Sequence, residues 1–169
     1  RSNSPIDYCK LYRERYMPQK ENSLALGAKV TYITPPTGKY AALGKTALVD
    51  GLFGGATFVD SWIGWEGTDG GIVIDLGETK EIRSVETDFL HQIGAWILFP
   101  LKVVYSYTDD GEHYTHWKTI DLPEERTGEV KFRGVKAESV EPVKARYVKV
   151  EVTGTKECPT WHYGVGHPS

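Results

Sequence analysis

Short segments that alternate apolar and polar residues follow one another through most of this chain, and this pattern constrains the fold most strongly. Alternation of this kind is typical of a β-strand with one buried face. Asp109-Asp110-Gly111 separates two of the segments and predicts a hairpin. The segments are residues 28–33, 71–77, 81–89, 101–107, 114–120, 129–135 and 145–152. Seven or eight short strands with turn signals at these spacings predict an all-β sandwich or barrel.

The first 26 residues have a different pattern, and residues 4–17 are predicted to form a helix. Ser4 can cap this helix and Pro5 suits its first position. Its apolar stripe consists of Tyr8, Leu11, Tyr12 and Tyr16. The chain therefore divides into a helical or linker segment, residues 1–26, and a β-sandwich, residues 27–169. We favour a helix packed on the side of the sandwich; the alternative is a junction to a preceding domain.

Length and charge narrow the possible functions. The chain has 169 residues, which is enough for one domain with a full core. Its net charge of −3, with scattered Lys and Arg, argues against nucleic acid or an anionic membrane as the main partner. No apolar stretch is long enough to span a membrane, and no signal peptide is visible. Because the chain begins at Arg1 and stops without a closing strand, we expect a piece of a longer protein.

Two cysteines, Cys9 and Cys158, lie near opposite ends of the chain. A disulfide between them would join the termini, which a sandwich with adjacent ends permits. Two buried free thiols are the default expectation. Two cysteines are too few for a structural zinc site, and His162 and His167 lack the partner residues that zinc requires.

Four of the five tryptophans lie in segments punctuated by Gly, His or Pro rather than in the apolar runs. These segments are residues 60–67, 91–96 and 158–164. Flat aromatic rings beside hydrogen-bonding groups on the loops of a β scaffold suit a small polar ligand with an apolar face, such as a sugar. The alternative is that the tryptophans cap the ends of the core.

Several local patterns occur together in a fixed order. They are Leu48-Val49-Asp50-Gly51 with the Gly-rich and Trp-rich segment after it, Val73-Ile74-Asp75-Leu76-Gly77, Ser106-Tyr107-Thr108-Asp109-Asp110-Gly111 and Ala145-Arg146-Tyr147-Val148-Lys149-Val150. In this order, over residues 28–165, they resemble the discoidin or coagulation factor 5/8 type C family, which includes the family 32 carbohydrate-binding modules. The segment Cys158-Pro159-Thr160-Trp161-His162 is similar to versions attached to bacterial glycan-degrading enzymes.

This resemblance implies a jelly-roll, galactose-binding-like β-sandwich with its binding loops at one end and its closing strand missing. It also implies an exported bacterial parent protein, secreted, periplasmic or at the cell surface, with a catalytic domain elsewhere. The implied function is non-catalytic: a carbohydrate-binding module that targets the parent to glycans. Galactose and N-acetylhexosamines are both compatible with it.

Many modules that the chain resembles hold a structural calcium ion near an Asp-Gly-Asp turn. Here Asp50 and Gly51 match, Leu52 replaces the second acid, and Thr57 lies further along than expected. Calcium requires six to eight oxygen ligands, so one carboxylate with backbone carbonyls would make a weak site. Two interpretations remain open: a calcium site that includes Asp50 and Thr57, or a simple turn.

Three groups of residues are candidates for glycan contact. An aromatic platform covers the C–H face of a pyranose, and His, Glu or Arg orients its hydroxyls. The groups are Trp65 with Glu66, His91 with Trp96, and Trp161 with His162 and Tyr163. We expect the first two groups to share one end of the sandwich, whereas the position of the third stays open. Trp62 is expected to lie in the core.

Other functions compete with the glycan-binding hypothesis. The sequence contains no recognisable catalytic motif, so we do not expect an enzyme. A lipid-binding or protein-binding discoidin domain would need residues 97–99 (Ile-Leu-Phe) as an exposed spike, and we favour burial of this run in the core. A structural domain that braces a neighbouring catalytic domain, with no sugar ligand, is the remaining alternative.

Overall fold

The chain folds into antiparallel β structure with almost no helix, as the alternation predicted. The computed structural model describes residues 23–41, 44–51, 54–55 and 62–169. The strands of this part are β1 (Lys29–Thr34), β2 (Gly70–His91), β3 (Lys102–Thr108), β4 (Thr115–Asp121) and β5 (Lys131–Thr153). Three short 3-10 turns, Gly38–Tyr40, Lys45–Leu48 and Ile93–Ala95, lie in the connections.

The strands are hydrogen-bonded in the order β1-β2-β5-β3-β4, and every neighbouring pair is antiparallel. β2 and β5 are long enough to contribute to two layers. Residues 70–75 of β2 pair with residues 147–152 of β5. In this layer β1 pairs with β2, and β3 pairs with β5. Residues 84–91 of β2 pair with residues 131–138 of β5 and, among the described strands, with no other. The Tyr105 hydroxyl on β3 donates to the Val135 carbonyl at 2.8 Å, so the second layer packs over the first as a sandwich.

The two long strands replace two pairs of separate strands that the sequence predicted. Register shifts between Asp75 and Lys80 and between Ile82 and Ser84 let β2 pass from one layer to the other within one ladder. Arg146 fixes the first shift, because its Nε and Nη2 donate to the two Asp75 carboxylate oxygens at 2.8 and 3.1 Å. This guanidinium and the Gly77 N–H hold the pKa of Asp75 below its usual value.

The main core lies between the two layers. Val103 and Tyr105 of β3 have no exposed surface, and Ala137 and Val150 of β5 are also buried, from opposite layers. The burial of alternating side chains on both layers is the main stabilising term, at roughly 25 cal/mol per Å² of apolar surface. A second, smaller cluster contains Ile82, Ala145 and Val148, and the half-buried Val85 and Trp117 pack against both clusters.

The predicted hairpin joins β3 to β4, and Asp110 organises its turn. The Asp110 carboxylate accepts the N–H groups of Glu112 and His113, each at 2.8 Å, and the Thr108 hydroxyl at 2.8 Å. Gly111 has φ 78°, a left-handed conformation that glycine adopts without strain. His113 and His116, which flank this turn, are exposed.

Removing the Asp110 carboxylate should destabilise the protein more at neutral than at acid pH. Hydrogen bonds from the His113 and Glu112 backbone hold the pKa of Asp110 well below its usual range. Because the folded pKa is lowered, the stabilisation is complete above the unfolded value of about 4 and is lost as the pH falls towards the folded value. We expect Asp110→Ala to lower Tm by about 2 to 4 °C at pH 7. The difference in Tm between wild type and variant should become smaller below about pH 4. Calorimetry measures this difference, with Glu112→Ala as the control, and a difference in Tm that does not depend on pH would contradict the prediction.

Two predictions about the ends of the chain lie partly outside the described residues. The helix at 4–17 and Cys9 belong to the part that is not described. Cys158 is a free thiol with 1% exposure, and burial raises its pKa. Among the described residues, none forms a helix with the length and hydropathy that a bilayer crossing requires.

The apolar run at 97–99 does not project as a spike. Phe99 is 5% exposed and lies beneath the Arg133 guanidinium, 4.3 Å from its ring centroid. Ile97 and Leu98 are half-buried. The run therefore packs on the sandwich, which is the interpretation that the sequence favoured.

Candidate functional site

Loops from several parts of the chain enclose an open cavity of about 1150 Å³, which continues along β2. Lys39 and Tyr40 line it from the first 3-10 turn, Trp65 and Glu66 from the segment before β2, and Trp96 from the loop after β2. The cavity thus brings together the first candidate group and one member of the second. The expectation that these groups share one end of the sandwich stays a prediction.

Trp65 is fixed at the edge of the core. Its indole N–H donates to the Thr34 carbonyl at 2.8 Å, and its ring packs against the main core cluster. The ring also covers Gly70, where a Cβ atom would lie 2.5 Å from it. Trp65 is half-buried, so its ring closes the end of the core and only part of it reaches the cavity.

Glu66 supplies charge to the cavity wall. Its Oε2 lies 2.7 Å from the Lys39 ammonium, and its backbone N–H donates to the Thr37 hydroxyl at 2.9 Å. The hydrogen bond to Glu66 raises the pKa of Lys39, so the Lys39 ammonium keeps its charge at neutral pH. A carboxylate beside an ammonium offers both an acceptor and donors, which a ring of hydroxyl groups can use.

Trp96 owes its position to an unusual backbone conformation. The 3-10 turn Ile93–Ala95 ends at Trp96, whose N–H donates to the Ile93 carbonyl at 2.8 Å. Trp96 has φ 62°, in the left-handed region, which costs free energy for a residue other than glycine. Bonds between Gln92 and Ile97 close the loop at its base. The backbone is therefore held in a strained turn that presents the indole at the cavity.

Two members of the third candidate group, His162 and Tyr163, pack against Trp96 together with His167. The ring centroids of His162, Tyr163 and His167 lie 6.4, 6.1 and 5.4 Å from the Trp96 ring. We call these four residues the aromatic cluster. The Tyr163 hydroxyl also donates to the Gly94 carbonyl at 3.1 Å. The structure thus joins the second and third groups, a point that the sequence left open.

His91 and Trp161 are not at the cavity. His91 has no exposed surface, stacks on Phe99 at 5.1 Å and faces the Thr127 carbonyl through Nε2 at 3.1 Å. β2 continues to His91, and this continuation carries the ring into the interior, so the expected direct contact with a ligand needs correction. Trp161 is half-buried, with the Arg126 guanidinium 5.4 Å from its ring.

The calcium ligands are incompletely matched. Asp50 lies in a turn followed by Gly51 at φ 79°, whereas Thr57 lies outside the described residues. The described residues contain no group of three His, Cys, Asp or Glu side chains placed to hold a metal ion. One carboxylate falls short of the oxygen ligands that calcium requires.

Sequence reasoning missed three residues of this region. Lys39 and Tyr40 follow Pro35-Pro36-Thr37-Gly38, and a cation and an aromatic directly after a predicted loop were a usable signal. His167 was considered only as an unlikely zinc ligand, yet its ring lies against Trp96. Trp62 was expected in the core; it is half-buried and stacks on Phe132 at 6.1 Å.

Solved structures with this fold include three informative neighbours. A Streptococcus pneumoniae fucose-binding module is 13% identical, with 88% of this chain and 91% of the module covered, at a TM-score of 0.55. The Clostridium perfringens module CpGH89CBM32-5, in complex with GalNAc-β-1,3-galactose, is 17% identical, with 84% and 88% covered, at 0.50. A Ruminococcus gnavus GH29 fucosidase in complex with fucose is 16% identical, with 80% and 24% covered, at 0.56.

These likenesses show the β-sandwich of carbohydrate-binding modules, and the chain spans about a quarter of the length of the fucosidase. No curated protein matches the chain. The family model of the F5/8 type C domain matches residues 29–165, and such domains are non-catalytic binding modules. The match covers most of the chain and includes the cavity loops from Lys39 to Trp96. The chain belongs to the F5/8 type C domain family.

Proposed function

We propose that this chain is a non-catalytic carbohydrate-binding module that binds a sugar in the cavity beside Trp96. The observation that carries the proposal is that an indole, Trp96, and the salt bridge between Glu66 and Lys39 line the same cavity. Sugars of the galactose or N-acetylhexosamine type have the apolar C–H face and the directional hydroxyls that such a site uses. The carbohydrate-binding neighbours support this class of ligand.

Each part of the site has a distinct physical role. The Trp96 ring removes the C–H face of the sugar from water and adds a weak contact with its polarised C–H bonds. Glu66 accepts from one hydroxyl and Lys39 donates to another, through charge-assisted hydrogen bonds. Tyr163, which is 69% exposed, offers further surface at the edge of the cluster. One platform buries little area, so we expect a Kd on the order of 0.1 to 1 mM for one sugar residue.

We further propose that the module belongs to an exported bacterial glycan-degrading protein and targets it to glycans. The Ruminococcus fucosidase supports this, because its chain contains a region of the same fold within a longer enzyme. Weak binding is sufficient for targeting when the substrate presents many copies of one sugar, since linked sites raise the effective concentration.

The test of this proposal is a glycan array on the full chain, followed by titration of the best ligands. Binding to galactose-terminated or N-acetylhexosamine-terminated glycans is the expected result. Silence over a broad array, together with binding to liposomes in a co-sedimentation assay, would overturn it in favour of a lipid-binding domain. Hydrolysis of a chromogenic glycoside would contradict the absence of catalysis.

A calcium site at Asp50 and Thr57 is a separate prediction. A weak site with a Kd of about 0.1 to 1 mM, saturated in 10 mM calcium, should raise Tm by about 3 to 10 °C. Asp50→Asn should abolish this increase because it removes the carboxylate. Differential scanning fluorimetry with calcium and with chelator measures the effect, and Asp121→Asn is the control. An equal increase in Asp50→Asn and wild type would place calcium elsewhere.

A further inference from the structure

His162 occupies the contact between the two loops that form the aromatic cluster. Its side chain is 3% exposed, although it lies on a loop. The ring stacks on Tyr163 at 4.5 Å and meets Trp96 and Trp161 edge-on at 6.4 and 5.9 Å. A polar side chain in such a position requires partners for both ring nitrogens.

Both nitrogens have a partner, and the partners define the tautomer. Nδ1 lies 2.9 Å from the Gly164 nitrogen, whose N–H donates, so Nδ1 is the acceptor. Nε2 lies 3.2 Å from the Ile93 carbonyl oxygen, which only accepts, so Nε2 carries the hydrogen and donates. The arrangement therefore needs the neutral Nε2–H form of His162.

The carbonyl that His162 contacts is also the one that fixes Trp96. The Ile93 oxygen accepts the Trp96 N–H at 2.8 Å and the His162 Nε2–H at 3.2 Å. A carbonyl oxygen has two lone pairs, so both bonds can form together. His162 thereby ties the C-terminal loop to the turn that holds Trp96 in its left-handed conformation.

We propose that His162 is a positioning residue: it does not touch the sugar, and its neutral form holds Trp96 in the binding geometry. This inference rests on the proposed function for its effect on affinity. Protonation of Nδ1 would place an N–H against the Gly164 N–H and break that bond. Of the side chains whose rings contact His162, Tyr163 is titratable; no described carboxylate is hydrogen-bonded to His162. Acid therefore loosens the cluster and weakens binding.

Two substitutions separate the two hydrogen bonds. His162→Asn keeps an acceptor near Nδ1, which can hold the Gly164 N–H as an Asx-turn, but cannot reach Ile93. His162→Gln reaches Ile93 with a donor, lacks the acceptor for the Gly164 N–H as the protonated imidazole does, and cannot itself be protonated. We expect about a tenfold loss of affinity for galactose or N-acetylgalactosamine in the Asn variant, equivalent to one lost hydrogen bond, and less than about threefold in the Gln variant.

The pH dependence of sugar affinity distinguishes a positioning role of His162 from a merely structural one, because a structural role would not change it. Wild-type affinity should fall on acidification to about the level of His162→Gln, whose own affinity should not change with pH. His116→Gln, at an exposed position on β4, is the control and should keep the wild-type profile. Equal profiles for wild type and His162→Gln would overturn the role of the neutral imidazole.

A measurement without sugar tests the positioning role of His162 independently of the proposed function. In ¹H–¹⁵N spectra the Trp96 indole resonance should move in His162→Asn and stay near its wild-type position in His162→Gln, while Tm shows that both variants fold. An unmoved Trp96 resonance in the Asn variant would overturn the positioning role. Wild-type protein that binds neither sugar would instead contradict the proposed function, and the indole resonance would still decide the role of His162.

Discussion

Trp96→Ala is expected to weaken glycan binding by about 10- to 100-fold. The substitution removes the apolar platform, which corresponds to about 1.5 to 3 kcal/mol for a large side chain transferred from water. Trp96 lines the cavity, whereas His162 packs against the Trp96 ring and does not line the cavity. Titration by NMR, which measures millimolar dissociation constants, is the appropriate assay.

A matched aromatic substitution controls for general effects on the surface. The ring of Tyr114 lies under the Lys149 ammonium, 4.0 Å from its centroid, and Tyr114 is not among the cavity residues. Tyr114→Ala should therefore bind like wild type. Because Trp96 has a positive φ, Trp96→Gly serves as a second variant that relieves backbone strain while removing the ring. Wild-type affinity in both Trp96 variants would exclude the indole from the site.

Tyr105→Ala should cause the largest loss of stability, about 3 to 5 kcal/mol. Tyr105 has no exposed surface, and its hydroxyl bridges the Thr87 hydroxyl and the Val135 carbonyl. These partners lie in the second layer, so one side chain of β3 holds both layers. Tyr105→Phe keeps the ring and removes the hydrogen bonds of the hydroxyl to Thr87 and Val135, and we expect it to cost about 1 to 3 kcal/mol. Urea unfolding measures both, and equal stability of wild type and Tyr105→Phe would contradict the bridging role.

Tyr105→Phe should also change how the stability of the protein depends on pH in the alkaline range. Burial raises the pKa of Tyr105 to about 12, above the unfolded value of about 10. A raised folded pKa gives stability that is complete below the unfolded value and is lost as the pH rises towards about 12. Wild-type stability should therefore fall over this interval, and Tyr105→Phe should lose less. Tyr147→Phe, a half-buried tyrosine on β5, is the control.

The fold was predictable because each strand carries its own alternation. The β3–β4 hairpin formed where Asp110 and Gly111 placed it. The joining of 71–77 with 81–89 into one strand was not predictable, because the strand pattern is interrupted at residues 78–80. Their continuity depends on the partner strand β5 and on the Arg146–Asp75 pair, and such contacts between distant residues leave no local pattern.

The sequence indicated which types of residue occur around the candidate site, but it did not indicate the role of each residue. Glycine and aromatic residues on loops drew attention to Trp96 and Glu66, and both line the cavity. The same composition occurs at His91 and His162, which the structure buries. Whether a loop histidine faces solvent or supports its neighbour depends on the path of the other loops. The hydrogen-bond partner of the His162 Nε2 atom is the carbonyl oxygen of Ile93, which lies 69 residues earlier in the chain.

The long β2–β5 ladder has a consequence for how the chain reaches its native state. The ladder joins Gly70 to Val152 at one end and His91 to Lys131 at the other, so each of its pairs closes a large loop. Neither layer can form before β2 has found β5, because both layers contain parts of the same two strands. Folding dominated by such distant contacts takes milliseconds to seconds rather than microseconds. The two layers are therefore expected to assemble in one cooperative step, with the meeting of β2 and β5 as its slow event.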